Sequence, residues 1–327
     1  MGYIEFYEYS DQSLVLSFLK ELMPIAAPLY HRLQSPQNTA DRCTAILCSV
    51  PPGQALTAPS TEDFAVERNV TVCFADRSRH HESQIWLFNT LCLKAVSPNA
   101  LSQQEYVFLV DNLCCLFRKL KEIGERHVSA DIQPLNYPFP SLVRLATLHE
   151  LLATTIQKVV TPKYHSQWDE MVFYTPSITK SPLENLPLGY KLGTVPESKL
   201  ETVISTSSIP RQPSTLLELH NAAIFTTSSE RIIKDLVAWA YLGIDKNIVT
   251  LYVVPDHRGK GLAKIVILKL LCDLRDGVAG KEKSQSDWCL ADVASQNFAS
   301  QGVFKAVGAQ VGWRSSYVRF DLDEIDP

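Results

Sequence analysis

Apolar residues recur along this chain with two periods, and the alternation between them predicts its elements. Residues 13–33, SLVLSFLKELMPIAAPLYHRL, have helical spacing with Ser13 placed to cap; Pro24 and Pro28 should kink or split that helix. Three strand-like runs follow, TAILCSV (44–50), NVTVCFA (69–75) and SQIWLFNTL (83–91), separated by turn-rich pieces such as PPGQALTAPSTED. A long helix is expected over 102–124, because Ser102 followed by Glu105 is a capping-box pattern and Gly124 is a natural stop. Another helix is expected over about 141–160, between Pro140 and Pro162.

The stretch 175–187, TPSITKSPLENLP, is rich in Pro, Ser and Thr and marks a domain boundary, giving domains over 1–180 and 185–327. Beyond it the pattern predicts a strand at 188–193, helices at 197–206 and 213–220, and strands at 221–227, 235–243 and 247–254. A helix at 259–275, a strand at 287–293, a helix at 297–307 and a last strand or hairpin at 309–321 complete the order. Two β-α-β crossings near the end require some parallel pairing, so the fold class is α/β with a mixed sheet.

Composition adds limits. The chain has 327 residues, 46% hydrophobic and 20% charged, as in a globular protein with substantial cores. A net charge of −4 leaves no excess of Lys and Arg to neutralise a nucleic-acid backbone, so no nucleic-acid partner is expected. No apolar run reaches the ~18 residues of a membrane span. The opening residues lack a basic-then-apolar leader, and Phe6 stands where a myristoylation signal needs Ser or Thr. NVT at 69–71 would accept a glycan only in a secreted chain. The eight Cys form no CxxC pair and no Cys/His array, so no metal site is expected and the thiols read as small core residues. An intracellular, cytoplasmic location follows as an expectation.

The candidate chemistry lies in VVPDHRGKGLAKIVI, residues 253–267. A strand runs into a turn with two glycines, flanked by His257, Arg258 and Lys260, and the turn opens an apolar helix. The first N–H groups of a helix have no acceptor within it and carry partial positive charge. Glycines let that backbone approach a ligand closely, so an anion is well held there. Neither the P-loop pattern nor G-x-G-x-x-G is present, since position 264 is Lys.

What does fit is R-x-x-G-x-A over 258–263, RGKGLA. The run V-x-P-x-x-R-G-x-G-L-A, after a strand and opening a helix, resembles the acyl-coenzyme A loop of the GNAT superfamily of N-acyltransferases. A second piece, ADVASQNFASQGVFKAVGA at 291–309, resembles that superfamily's strand-Asn-helix-Gly segment through Asn297, Ser300, Val303 and Gly308. The likeness covers roughly 185–321. The two-part layout and DVASQN look most like the glycine N-acyltransferase-like branch, in which a degenerate N-terminal half of similar fold precedes the active one.

The resemblance implies a GNAT-like C-terminal domain whose strands 247–254 and 287–293 splay apart around the pantetheine arm of acetyl-CoA or another acyl-CoA. Main-chain groups of Val253 and Val254 would pair with that arm. The N–H groups of Arg258, Gly259, Lys260, Gly261, Leu262 and Ala263 would hold the diphosphate, and Asn297 would lie near the pantetheine or the amine. The N-terminal domain would shape the acceptor cleft. The implied reaction is direct acyl transfer to an amine, foremost acetyl transfer to a small molecule or amino acid. A protein acetyltransferase and a catalytically inactive CoA-binding module are the alternatives. Many members carry a Tyr where this chain has Phe304, and many place a Glu on the strand where this chain has NIVTLYVV. The base is therefore sought among Asp292, at a strand end beside the splay, and Asp245, with Tyr252 and His257 behind them.

Other features read as structure. RSRHHES (77–83) suits a polar hairpin turn, Cys114 and Cys115 a helix core, and FRKLKEIGERH (117–127) a basic helix end. Lys281 and Lys283 lie in a loop where the coenzyme's phosphates could reach them. Trp239 and Trp288 read as core strand residues, and no G-x-S-x-G elbow exists.

Overall fold

Pro24 and Pro28 do break the first helix. After a short strand β1 (Tyr7–Glu8), the chain forms α1 (Ser13–Lys20) and α2 (Ala27–Leu33) as separate pieces. Ser13 lies inside α1 instead of capping it; the Asp11 carboxylate accepts the Ser13 N–H (2.9 Å) and its hydroxyl (2.7 Å). This computed structural model describes residues 4–36, 38, 44–59, 69–76, 84–129, 141–184, 186–207, 209–228, 232–278 and 287–325. The stretch 77–83, Lys281 and Lys283 lie outside them. The chain divides into unit 1 (Met1–Asp169 with Trp313–Pro327) and unit 2 (Glu170–Gly312).

Unit 1 continues with β2 (Thr44–Cys48), β3 (Thr71–Asp76) and β4 (Ile85–Asn89), then α3 (Gln103–Ser129). The capping box forms: Glu105 Oε2 accepts the Ser102 N–H at 2.8 Å, and Ser102 Oγ accepts the Glu105 N–H at 3.3 Å. Gly124 does not end α3. A helical glycine costs only about 1 kcal/mol, and the buried face Leu109, Leu113, Leu116, Phe117, Leu120 and Ile123 holds the helix together across it.

The helix expected over 141–160 is instead β5 (Leu142–His149) followed by α4 (Glu150–Val159). β5 pairs with β4 in parallel and on its other side with β12 (Gln310–Asp321) in antiparallel. Strands enclosed in this way lose the alternating signature and read like a buried helix. His149 ends the strand and caps α4, its Nδ1 accepting the Leu151 N–H (3.2 Å). The next strand, β6 (Tyr164–Tyr174), has no counterpart in the sequence reading. Strand order in this sheet runs β1-β2-β3-β4-β5-β12-β6; residues 170–174 of β6 and 310–312 of β12 belong to unit 2. Cys114 and Cys115 are half-buried on α3, and burial pushes both thiols up.

Unit 2 follows the expected order: β7 (Tyr190–Gly193), α5 (Leu200–Thr206), α6 (Pro213–Glu218), β8 (Asn221–Thr227), β9 (Ile233–Leu242), β10 (Ile248–Val253), α7 (Leu262–Arg275), β11 (Trp288–Val293) and α8 (Phe298–Ala306). β7 to β10 form an antiparallel sheet in the order β10-β9-β8-β7. One face packs on α7 through Ala238, Ala240, Ile265 and Leu271. The other carries Trp239 and Tyr241 under Leu200, Val203 and Leu216 of α5 and α6. α7 is buried on nearly every side, and buried Asp273 ties it to Lys269 and to His220 (2.9 Å). Burial alone would raise the Asp273 carboxyl; hydrogen bonds from His220 and Lys269 outweigh it and hold it low.

Candidate acyl-coenzyme A site

β10 ends at Val253, and one 3-10 turn (Pro255–His257) carries the chain to the two glycines. Gly259 has φ +76° and Gly261 φ +77°, the left-handed region that side-chain-bearing residues avoid. A Cβ at either position would meet nothing within 4 Å, so the space before the loop is open. The Arg258 N–H closes on the Pro255 carbonyl (3.1 Å), and the Ile265 N–H starts the helical ladder on Gly261 (3.3 Å). The N–H groups between them sit at the leading end of α7, where a helix offers no internal acceptor. Leu262 is buried and Ala263 half-buried, fixing the loop to the core, while Gly259, Lys260 and Gly261 are exposed.

The cations are arranged by neighbours. Arg258 folds back so that Nε donates to the Val253 carbonyl (3.1 Å), with its guanidinium 5.8 Å from the Tyr252 ring. Tyr252 itself stacks on Trp239 with centroids 5.0 Å apart. Lys260 Nζ lies 3.2 Å from the Tyr190 hydroxyl, which lies 2.7 Å from His257 Nδ1. Lys only donates, so the Tyr190 hydroxyl accepts from Lys260 while it also shares a hydrogen bond with His257 Nδ1. Sequence reasoning missed Tyr190; it is distant in sequence and nothing local announces it.

Beside the loop the strands diverge. β10 and β11 share one isolated parallel bridge among the described residues, Asn247–Leu290. β10 then continues in the sheet with β9, whereas β11 pairs with β6. β10 also carries a bulge: the pairs Val249–Tyr241 and Tyr252–Trp239 differ by one residue, and Thr250 between them has φ +56°. The Val254 N–H donates to Val237 (2.9 Å) and its carbonyl accepts from His257 (2.9 Å), so its main chain is engaged within the unit.

Asp292 lies on β11 two residues past the bridge, half-buried, with Asn247 Nδ2 3.5 Å from its Oδ2. Asp245 sits in the β9–β10 turn, at the opposite end of β10 from the glycines; it is buried and accepts the Asn247 N–H at 3.3 Å. Asn297 is exposed and caps α8, accepting the Ser300 N–H at 3.0 Å. Phe304 is buried against Phe173, edge-on at 5.7 Å. Among the described residues no cluster of His, Cys, Asp and Glu suits a metal, and no helix is long and apolar enough to cross a membrane.

A glycine loop at a helix N-terminus beside two parting strands, in a chain whose first half repeats a strand-helix-parallel-strand layout, defines a two-part GNAT fold. Solved structures agree. A Drosophila protein matches at 11% identity over 98% of this chain and 100% of its own, with a TM-score of 0.64. A tandem GNAT protein from the clavulanic acid biosynthesis pathway, solved without AcCoA, matches at 11% identity over 99% and 100%, with a TM-score of 0.51. Residues 3–215 match the family model of the acyl-CoA N-acyltransferase verG N-terminal domain, and the chain belongs to that family. No curated protein matches. Acyl-CoA is the co-substrate of GNAT acyltransferases, and the glycine loop of unit 2 faces open space.

Proposed function

We propose that unit 2 binds acyl-CoA and transfers its acyl group to an amine. The observation that carries this is the pair of left-handed glycines facing open space at the head of a buried helix, beside the gap between β10 and β11. The N–H groups of residues 259–263 hold the diphosphate, since that of Arg258 is taken by the Pro255 carbonyl, and the Arg258 and Lys260 side chains each add about 1 kcal/mol at an exposed position. Val253, at the end of β10 and facing the gap, offers main chain to the pantetheine arm. Asn297, at the start of the helix that follows β11, lies near the pantetheine or the amine. We take the acyl group to be acetyl and the acceptor to be a small amine or amino acid.

A binding-only module is the second reading, favoured by buried Phe304 at the position of the family's tyrosine and by the absence of any acid on β10. Titration calorimetry with acetyl-CoA, followed by a free-thiol assay over a panel of amines and amino acids, separates the two. Micromolar binding with thiol release on at least one amine is expected. Binding without release on any amine makes the chain a binder, and no binding rejects both.

A further inference from the structure

We propose that Glu170, carried on β6, is the general base that takes the proton from the acceptor amine in unit 2; this rests on the acyltransferase reading above. The Thr175 N–H donates to the Asp287 carbonyl at 2.7 Å, and the Tyr174 ring lies 5.1 Å from Trp288. β11 thus begins where β6 ends, and its six residues can pair with β6 only by running back along it. Counting from Tyr174 opposite Trp288 sets Met171 opposite Ala291 and Glu170 opposite Asp292. Met171, Phe173, Cys289 and Ala291 all lie in the core under α7, which agrees with this register. Glu170 and Asp292 therefore share the other face, at a spacing of about 5 Å between Cβ atoms.

That face is equipped for a polar substrate. Glu170 is wholly buried, including both carboxylate oxygens. Asn247 is 1% exposed and lies on the same side, since Ile248 points to the α7 core. Its Nδ2 leans on Asp292, and its Oδ1 is buried with no hydrogen-bond partner. Tyr241 Oη, Trp239 Nε1 and Thr250 Oγ1 are likewise buried without partners, and the Tyr241 and Trp239 rings pack on this face of the neighbouring strand. Buried hydrogen-bonding groups left unmade cost about 1–3 kcal/mol each, and a bound amine or thioester would satisfy them.

In the step, the amine nitrogen attacks the thioester carbonyl carbon, so an N–C bond forms and the C–S bond breaks. The proton shed by nitrogen goes to the Glu170 carboxylate and then to the departing sulfur. Amine and acyl-CoA become amide and free coenzyme A thiol, with Glu170 restored. Asp292, held by Asn247, is a positioning residue.

The test uses the full chain, acetyl-CoA and the best amine of the panel. Glu170→Gln should leave the acetyl-CoA Kd within about threefold, lower kcat at least a hundredfold, and remove the rise of kcat with pH on its acid side. Glu170→Asp keeps the carboxylate and guards against a Gln variant that does not fold; it should retain that rise, with kcat down about tenfold. Wild-type kcat and an unchanged pH profile in either variant would overturn the assignment. A wild-type protein that binds acetyl-CoA but frees no thiol with any amine would overturn the acyltransferase reading itself.

Discussion

Each unit has a strand that leads through a turn into a helix and returns as a parallel neighbour, yet the two turns are built for opposite ends. In unit 2 the turn from β10 into α7 presents two left-handed glycines to open space. In unit 1 the turn after β4 consumes its own polar groups. Asn89 is buried, accepts the Leu91 N–H (2.8 Å) and donates to Thr71 Oγ1 (2.7 Å), while Leu91 and Cys92 are buried beneath the turn. The helix start is closed as well, because Glu105 occupies the Ser102 N–H.

The gaps differ in the same sense. β4 and β5 pair at Ile85–Leu145 and Trp86–Ala146. Past those pairs Trp86, Phe88, His149 and Trp313 line a cavity of about 10 Å³, room for one water. Beside it, Arg32 is wholly buried, bonded to Asp76 and lying 4.6 Å and 4.9 Å from the rings of Phe74 and Trp86. One topology therefore carries an open glycine turn in unit 2 and a closed, side-chain-lined one in unit 1.

The largest expected effect breaks the open side. Gly261→Glu puts a side chain at a left-handed position and a negative charge where the diphosphate sits. Calorimetry should show acetyl-CoA affinity reduced at least a thousandfold, about 4 kcal/mol, with stability lowered by no more than about 2 kcal/mol. Normal affinity would mean that the loop does not hold the diphosphate. The plugged side should respond in the reverse way. Arg32→Ala leaves Asp76 buried without its cation and should cost about 3–5 kcal/mol in urea unfolding, while leaving any residual folded protein with the same acetyl-CoA Kd.

A third effect, of intermediate size, uses His149 in the filled gap. Burial lowers its pKa from the usual 6.5 to about 4. The folded state therefore binds that proton less readily than the unfolded chain, and stability is full above pH 6.5. It declines as pH falls from 6.5 towards 4, by about 3 kcal/mol in total. His149→Asn keeps a helix-capping side chain but cannot titrate, so urea melts across that window should lose this slope. The smallest expected effect returns to the open loop. Lys260→Ala should weaken acetyl-CoA about fivefold, near 1 kcal/mol, with no change in melting temperature.

Much of unit 2 is legible in the chain because its signals are local. RGKGLA needs only its own residues to make the turn, α7 announces itself by an apolar run after two glycines, and Asn297 stands at a helix start. Unit 1 is less legible where burial removes the period. LVRLATLH reads as helix because neighbours enclose it as a strand, and YHSQWDEMVFY shows no clean alternation, so β6 and with it Glu170 went unread. The one available signal was an acid set directly before the apolar run MVFY.

The sequence by itself determined the glycine turn, the helix behind it and the order of elements in unit 2, since these depend on backbone freedom, capping and short-range period. Only the tertiary structure decided that β6 lies beside β11, which neighbour Lys260 and His257 meet, and that side chains crowd the space past β4 and β5. Those outcomes depend on pairing between segments far apart in the chain, as in β6 beside β11 or Tyr190 beside His257, and no local pattern encodes a partner more than a hundred residues, or even a few dozen, away.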